Sequence, residues 1–281
     1  MSMPDAIRCD NPQFLKKAPG PYDCLIVLGK SYLAYALVDE ARTSVWSVRW
    51  QHRKGPPMGK SDFDAILGER KVQQAGRFFL AIDNERHTLV PAALYQADKR
   101  HLYTQHLFET GSGEELHEQN IGPDIVSLFA LKTDSVQYFM KRLRHVHFYH
   151  ASAVPLLAYA QELDEKAAHT VFLSDTPDGF TLTLYKGKDL QWQQVFRGEA
   201  ADDRLYHLAN LHQQLSLDPA QTTVVLHGET TQTDVVAALL QTQYGTVRYA
   251  GRLPELSIPE DLHQWPAHYF YTLFALIPCA S

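Results

Sequence analysis

The sequence predicts an α/β protein of two lobes, each a mixed sheet covered by helices. Three observations carry that prediction. Each half opens on strand-like runs joined by tight turns, and each continues into an amphipathic helical stretch followed by a short apolar strand. The spacing agrees as well, since the intervals from Cys24 to Phe78 and from Thr170 to Thr223 differ by one residue. Strands joined by tight turns pair antiparallel, whereas a strand that returns after a helix pairs in parallel, so each sheet is mixed.

In the first half CLIVL, the turn Gly29-Lys30-Ser31, YLAYALVD, the turn Glu40-Ala41-Arg42-Thr43 and SVWSVRW form a three-stranded meander. The polar loop HRKGPPMGK leads to Ser61, placed to cap a helix whose Phe63, Ile66 and Leu67 share a face, and the buried strand 78–82 follows. SVQYFMKRL, the strand-like VHFYH and the helix VPLLAYAQEL, with Ser152 as its cap and Pro155 in its first turn, complete this lobe. Between them ETGSGEELHEQN (109–120) is expected as an exposed mobile loop, because its glycines and charges do not pack.

The second half repeats the order with HTVFLSD, the turn Thr176-Pro177-Asp178-Gly179, FTLTLY, the turn Lys186-Gly187-Lys188-Asp189 and LQWQQVF. A helix with Leu205, Leu208, Leu211 or His212, and Leu215 at helical spacing comes next, then the strand 223–226. The boundaries expected are an N-terminal extension 1–20, a first lobe 21–166, and a second lobe 167–281 with a C-terminal tail. In that tail His268-Tyr269-Phe270-Tyr271-Thr272-Leu273-Phe274-Ala275-Leu276 is too apolar to leave in water, and is expected to close the core or to meet a partner or a second copy.

With 45% apolar and 21% charged residues over 281 positions, the composition is that of a soluble globular protein. A net charge of −6 argues against nucleic acid, and the densest basic run, Lys141-Arg142-Leu143-Arg144, reads as one solvated helix face. Cys9, Cys24 and Cys279 lack paired spacing, which fits a reducing cytoplasm; MSMPDAIRCDNPQF does not look like a signal peptide. The apolar run YFYTLFALI is shorter than the about 20 residues a membrane-spanning helix needs.

The doubled plan, with the stretches CLIVLGKSYLAYALVD, TLVPAALY, FYHASAVPLLAYA and HYFYTLFALI, resembles a bacterial family of unknown function, domain of unknown function 3822. The resemblance implies an actin-like ATPase fold of two RNase H-like lobes, distantly similar to the actin-like proteins of pilus and secretion assembly. It implies no activity. In actin-like ATPases the first turn of each lobe holds phosphates on backbone amides, and one carboxylate organises magnesium. By that resemblance Lys30 and Ser31 in the first lobe and Asp175 and Gly179 in the second are the candidate contacts to ATP with magnesium, and Gly228, after the strand 223–226, is the candidate adenosine contact. The pattern departs at each point: the first turn lacks the Asp, Pro177 donates no amide, and Glu229 stands where a second glycine is wanted.

Gly29-Lys30-Ser31 also matches the end of a classical phosphate loop, but Cys24 stands where that loop needs its first glycine, and strands flank the motif instead of a helix. It reads as a hairpin turn in which Gly29 takes a positive φ. His145 and His147 fall on one face of a strand with His150 on the other, too few ligands for a zinc site. A nuclease would need carboxylates within the opening strand, where only Asp23 stands at the edge, and no Gly-x-Ser-x-Gly elbow is present for acyl transfer; Ser112 and the Glu114, Glu115 and Glu118 group read as loop and solvated surface. The function expected is a non-catalytic scaffold or adaptor with a degenerate nucleotide site, an unidentified protein partner and no cofactor; the alternative is a nucleotide-binding ATPase or small-molecule kinase using the cleft between the lobes.

Overall fold

The protein was analysed as a computed structural model that describes residues 5–16, 20–108, 110–163, 167–198, 200–228, 235–251 and 256–279. Strand β1 (Ala6–Asp10) is followed by the meander β2 (Tyr22–Leu28), β3 (Tyr32–Asp39) and β4 (Val45–His52). After the helix Lys60–Leu67, β5 (Phe78–Ile82) pairs in parallel with β2. A separate antiparallel sheet comprises β6 (His87–Pro91), β7 (Glu114–Ile121) and β8 (Ile125–Lys132), and the helix Thr133–Arg142 returns the chain to β9 (Val146–His150), parallel to β5.

The second lobe runs through β10 (His169–Thr176), β11 (Gly179–Lys186) and β12 (Asp189–Arg197), the helix Ala201–Leu215, β13 (Thr222–Gly228), the helix Val235–Gln243 and β14 (Thr246–Tyr249). The sheet orders are β1-β4-β3-β2-β5-β9 and β12-β11-β10-β13-β14. From β4 to β9 and from β12 to β14 the order is the same, which is the duplication that the spacing predicted. Both central strands, β2 and β10, are buried almost throughout because material covers both faces of each sheet.

Several local expectations are corrected. The segment 1–20 supplies β1, which pairs antiparallel with β4 as an edge of the first sheet. The charged stretch from Glu114 onward is strand β7 and not a loop; Glu109 lies outside the described residues. Its charges alternate along a strand whose faces are half exposed, so the composition resembled that of a loop. Gly59, not Ser61, caps the helix Lys60–Leu67: its N–H donates to Asp62 Oδ2 at 2.8 Å. The VPLLAYAQEL stretch holds only the short helix Leu156–Tyr159, N-capped at Pro155. Leu215, expected on the buried helix face, is 46% exposed at the last helical residue, beside Ser216 in the left-handed region.

The C-terminal tail decides how the lobes meet. Tyr269, Phe270, Tyr271, Leu273, Phe274 and Leu276 are all buried, within one cluster that also contains Leu25 and Val27 of the first sheet and Phe172 and Val225 of the second. The tail therefore closes the core by filling the space between the two sheets, and the apolar area it removes from water holds the halves together.

Candidate functional site

In this duplicated arrangement the cleft lies where the β2–β3 and β10–β11 turns face each other, at the carboxyl ends of β2, β5, β10 and β13, a usual place for ligands in α/β sheets. Both turns are tight hairpins. Gly29 N–H donates to Tyr32 O at 2.9 Å, and Thr176 pairs with Gly179 in the second turn. The chain after Ser31 runs straight into β3, so Gly29-Lys30-Ser31 has no helix to present to a phosphate. Gly29 is not among the residues with positive φ, contrary to expectation. A Cβ there would instead collide with the ring of Tyr32 and the carboxylate of Asp178, so its role is close approach.

The backbone amides of Lys30 and Ser31 already have an anion. Asp178, from the opposite turn, accepts from the Lys30 N–H, from the Ser31 N–H at 3.1 Å and from the Ser31 hydroxyl at 2.6 Å. A second carboxylate crosses the other way. Asp83, just after β5 and 7% exposed at its side chain, accepts from the Tyr32 hydroxyl at 3.0 Å and from the second-lobe Thr176 hydroxyl at 3.3 Å, and faces Arg197 Nη1 at 3.4 Å. Burial pushes the Asp83 carboxyl above its ordinary pKa, while the Arg197 guanidinium pulls it back. The Tyr32 phenol is driven well up by burial and by the neighbouring carboxylates, so it stays protonated and donates. The lobes thus exchange carboxylates: each turn receives one from the other side.

The remaining candidates are engaged too. Asp175 is 8% exposed and accepts from Arg204 Nε at 2.9 Å; Arg204, on the helix Ala201–Leu215, also donates to Ala200 O at 2.9 Å. A carboxylate bound this way has its charge met inside the second lobe. Gly228 stands at φ +90 opposite Asp175 in the parallel β10–β13 ladder, and a Cβ on it would strike the Asp175 carbonyl oxygen. Gly179, at φ +152, is pressed against the Phe196 carbonyl in the same manner. Both glycines are demanded by backbone crowding. Glu229 lies outside the described residues.

The structure brings Lys30, Ser31, Asp175, Gly179 and Gly228 to one end of the two sheets, where a void of about 40 Å³ beside Asp175 and Gly228 is lined by Val27, Tyr32, Tyr269 and Phe270 among others. Small-molecule sites usually have about 300–1,000 Å³. For ATP with magnesium, the candidate amides of Lys30 and Ser31 are already bonded to Asp178 and the candidate carboxylate Asp175 to Arg204. Sequence reasoning missed Asp83, Asp178, Tyr32, Arg197 and Arg204. In the sequence Asp178 is a turn residue, although a carboxylate at the tip of a hairpin is free to reach across; Asp83, a carboxylate ending a buried strand, is a second available signal.

The histidines do not converge. His145, at φ 48, precedes β9 and His147 is exposed against Phe79, whereas His150 is fully buried. His150 Nε2 lies 2.9 Å from Asn84 O and must donate there, so Nδ1 accepts the Ser152 hydroxyl at 2.7 Å. Ser152, expected as a helix cap, instead links His150 to His87, whose ring stacks on His150 at 4.0 Å. Burial lowers His150 to about 3 and His87 well below its ordinary value, leaving both neutral. Among the described residues no group of three or more His, Cys, Asp or Glu could hold a metal, and no helix is long and apolar enough to cross a membrane.

The duplicated sheets and the turns facing across their junction define a protein of the actin-like ATPase fold. A protein of that fold and unknown function from Bacteroides thetaiotaomicron superposes with a TM-score of 0.72 at 15% identity, covering 92% of this chain and 96% of that one. A structure described as the PilM–PilN type IV pilus biogenesis complex gives a TM-score of 0.64 at 14% identity, with 92% and 98% covered. The chain belongs to the family described as "Protein of unknown function (DUF3822)", matched over residues 13–244. The tail that fills the junction lies beyond the matched residues. Comparison with curated proteins gives no match.

Proposed function

We propose that this protein is a non-catalytic scaffold or adaptor of actin-like fold, cytoplasmic, with a degenerate nucleotide site, which acts by holding a protein partner on its surface. The observation that carries this reading is the Asp178 carboxylate on the amides of Lys30 and Ser31, where a phosphate would have to bind. The tail residues packed against the same junction support it, since opening the cleft would expose Tyr269 and Phe270. The similarity to PilM, described in a complex with PilN, supports a protein as the partner.

Thermal denaturation with ATP, ADP and magnesium tests the reading, because a ligand at 100 times its Kd raises stability by about 2.7 kcal/mol. The expected result is an unchanged melting temperature. A shift in the native protein that Asp175→Ala abolishes would favour the ATPase or kinase reading, with the nucleotide displacing Asp178.

A further inference from the structure

We infer that the groove between β6 and β12 is a strand-addition site for an extended, basic and apolar peptide segment of a protein partner. The inference deepens the scaffold reading and rests on it. The groove has a volume of about 1120 Å³, above the about 1,000 Å³ at which small-molecule clefts usually end. Its walls show how it would bind. Every residue from 188 to 195 and from 87 to 91 lines it. Side chains alternate across a strand, so a wall made by a strand's face contributes every second residue. Consecutive lining residues mean that β12 and β6 present their hydrogen-bonding edges.

Both are edge strands: β12 pairs only with β11, and β6 only with β8, among the described residues. Exposed edges are usually blunted because they template pairing with another chain. Here β12 runs for nine residues and carries one irregularity of register, opposite Leu184 and Tyr185. An incoming strand would satisfy its open amides and carbonyls, as in other β-augmentation complexes.

The chemistry of the occupant follows from the other groups. Leu89, Ile125, Leu157 and Trp192 offer apolar surface on the walls. The charged residues lining the groove are Glu85, Asp124, Asp189 and Lys188, three acids to one base. Asp124 and Asp189 are exposed and have no ion-pair partner among the described residues. The whole chain is acidic as well, at −6. A segment alternating aliphatic residues with Arg or Lys complements this groove; an acidic one does not.

The test is to pan a random decapeptide display library on the full chain and to measure the enriched sequences as synthetic fluorescein-labelled peptides by anisotropy. Enrichment of basic–aliphatic peptides is expected, and the Asp124→Lys/Asp189→Lys double variant should weaken them about tenfold with its melting temperature unchanged. N-methylation of one alternate set of peptide amides should abolish binding while the other set is tolerated, since an added strand bonds the edge through every second residue. No enrichment, enrichment of acidic peptides, equal binding by the variant, or equal sensitivity to both N-methylated sets would each overturn the proposal. An ATP-induced melting shift would instead sink the scaffold reading and leave the peptide result standing, so the two failures are distinguishable.

Discussion

The void at the strand ends and the groove at the strand edges are built on opposite principles. At the strand ends the void beside Asp175 and Gly228 is about 40 Å³, the Lys30 and Ser31 amides are met by Asp178 of the facing lobe, and the tail lines the walls. The groove at the strand edges keeps about 1120 Å³, with unpaired backbone and acidic side chains facing water. At the facing turns Asp178 and Asp83 satisfy hydrogen-bonding groups within the protein, whereas the free strand edges among the described residues lie along the groove.

The comparison is sharpened most by removing what fills the cleft. Deleting residues from His268 onward should leave no cooperatively folded protein by circular dichroism and urea titration, because the deleted side chains are core to both sheets. A truncated chain that melts normally would mean the sheets hold together without the filling. Asp175→Ala strands Arg204 in a buried site and is expected to cost about 3–5 kcal/mol in urea denaturation.

Acid should act on buried histidines next. His150 and His227 both have folded pKa values near 3, pushed down by burial, against 6.5 when unfolded. The unfolded chain therefore binds more protons in this window, so their contribution is fully present above pH 6.5 and is lost as pH falls toward 3. Stability should drop by roughly 2 kcal/mol over the first pH unit below that value, and His150→Gln should shrink the slope.

Asp178→Ala is expected to destabilise by about 1–3 kcal/mol, the cost of leaving two amides and a hydroxyl without their acceptor. If it also let ATP raise the melting temperature, the carboxylate would be shown to compete with phosphate. The smallest effect belongs to the open groove: Asp124→Lys/Asp189→Lys should change stability by no more than about 0.5 kcal/mol, since neither side chain is committed to the fold.

Local periodicity carried much of the architecture into the sequence. The meanders, the helix Ala201–Leu215 and the parallel strands β5 and β13 were legible because apolar spacing of two and of 3.6 residues is a local property. Strand β7 was not, since it is half exposed along most of its length and its Glu, His and Gln lack an apolar stripe. The candidate turns were found, but their state was not. The bond from Lys30 to Asp178 joins residues 148 apart, and no local pattern announces it. The same holds for Gly228, expected as the adenosine contact, where a Cβ would strike the neighbouring Asp175 carbonyl.

The position of the tail along the chain has a consequence for biosynthesis. Both sheets leave the ribosome before Tyr269 and Phe270 do, so the nascent protein passes through a stage in which each half has its strands but their common seam is bare. During translation that seam is sticky surface, and a chaperone would find its natural client in this interval and not in the finished molecule.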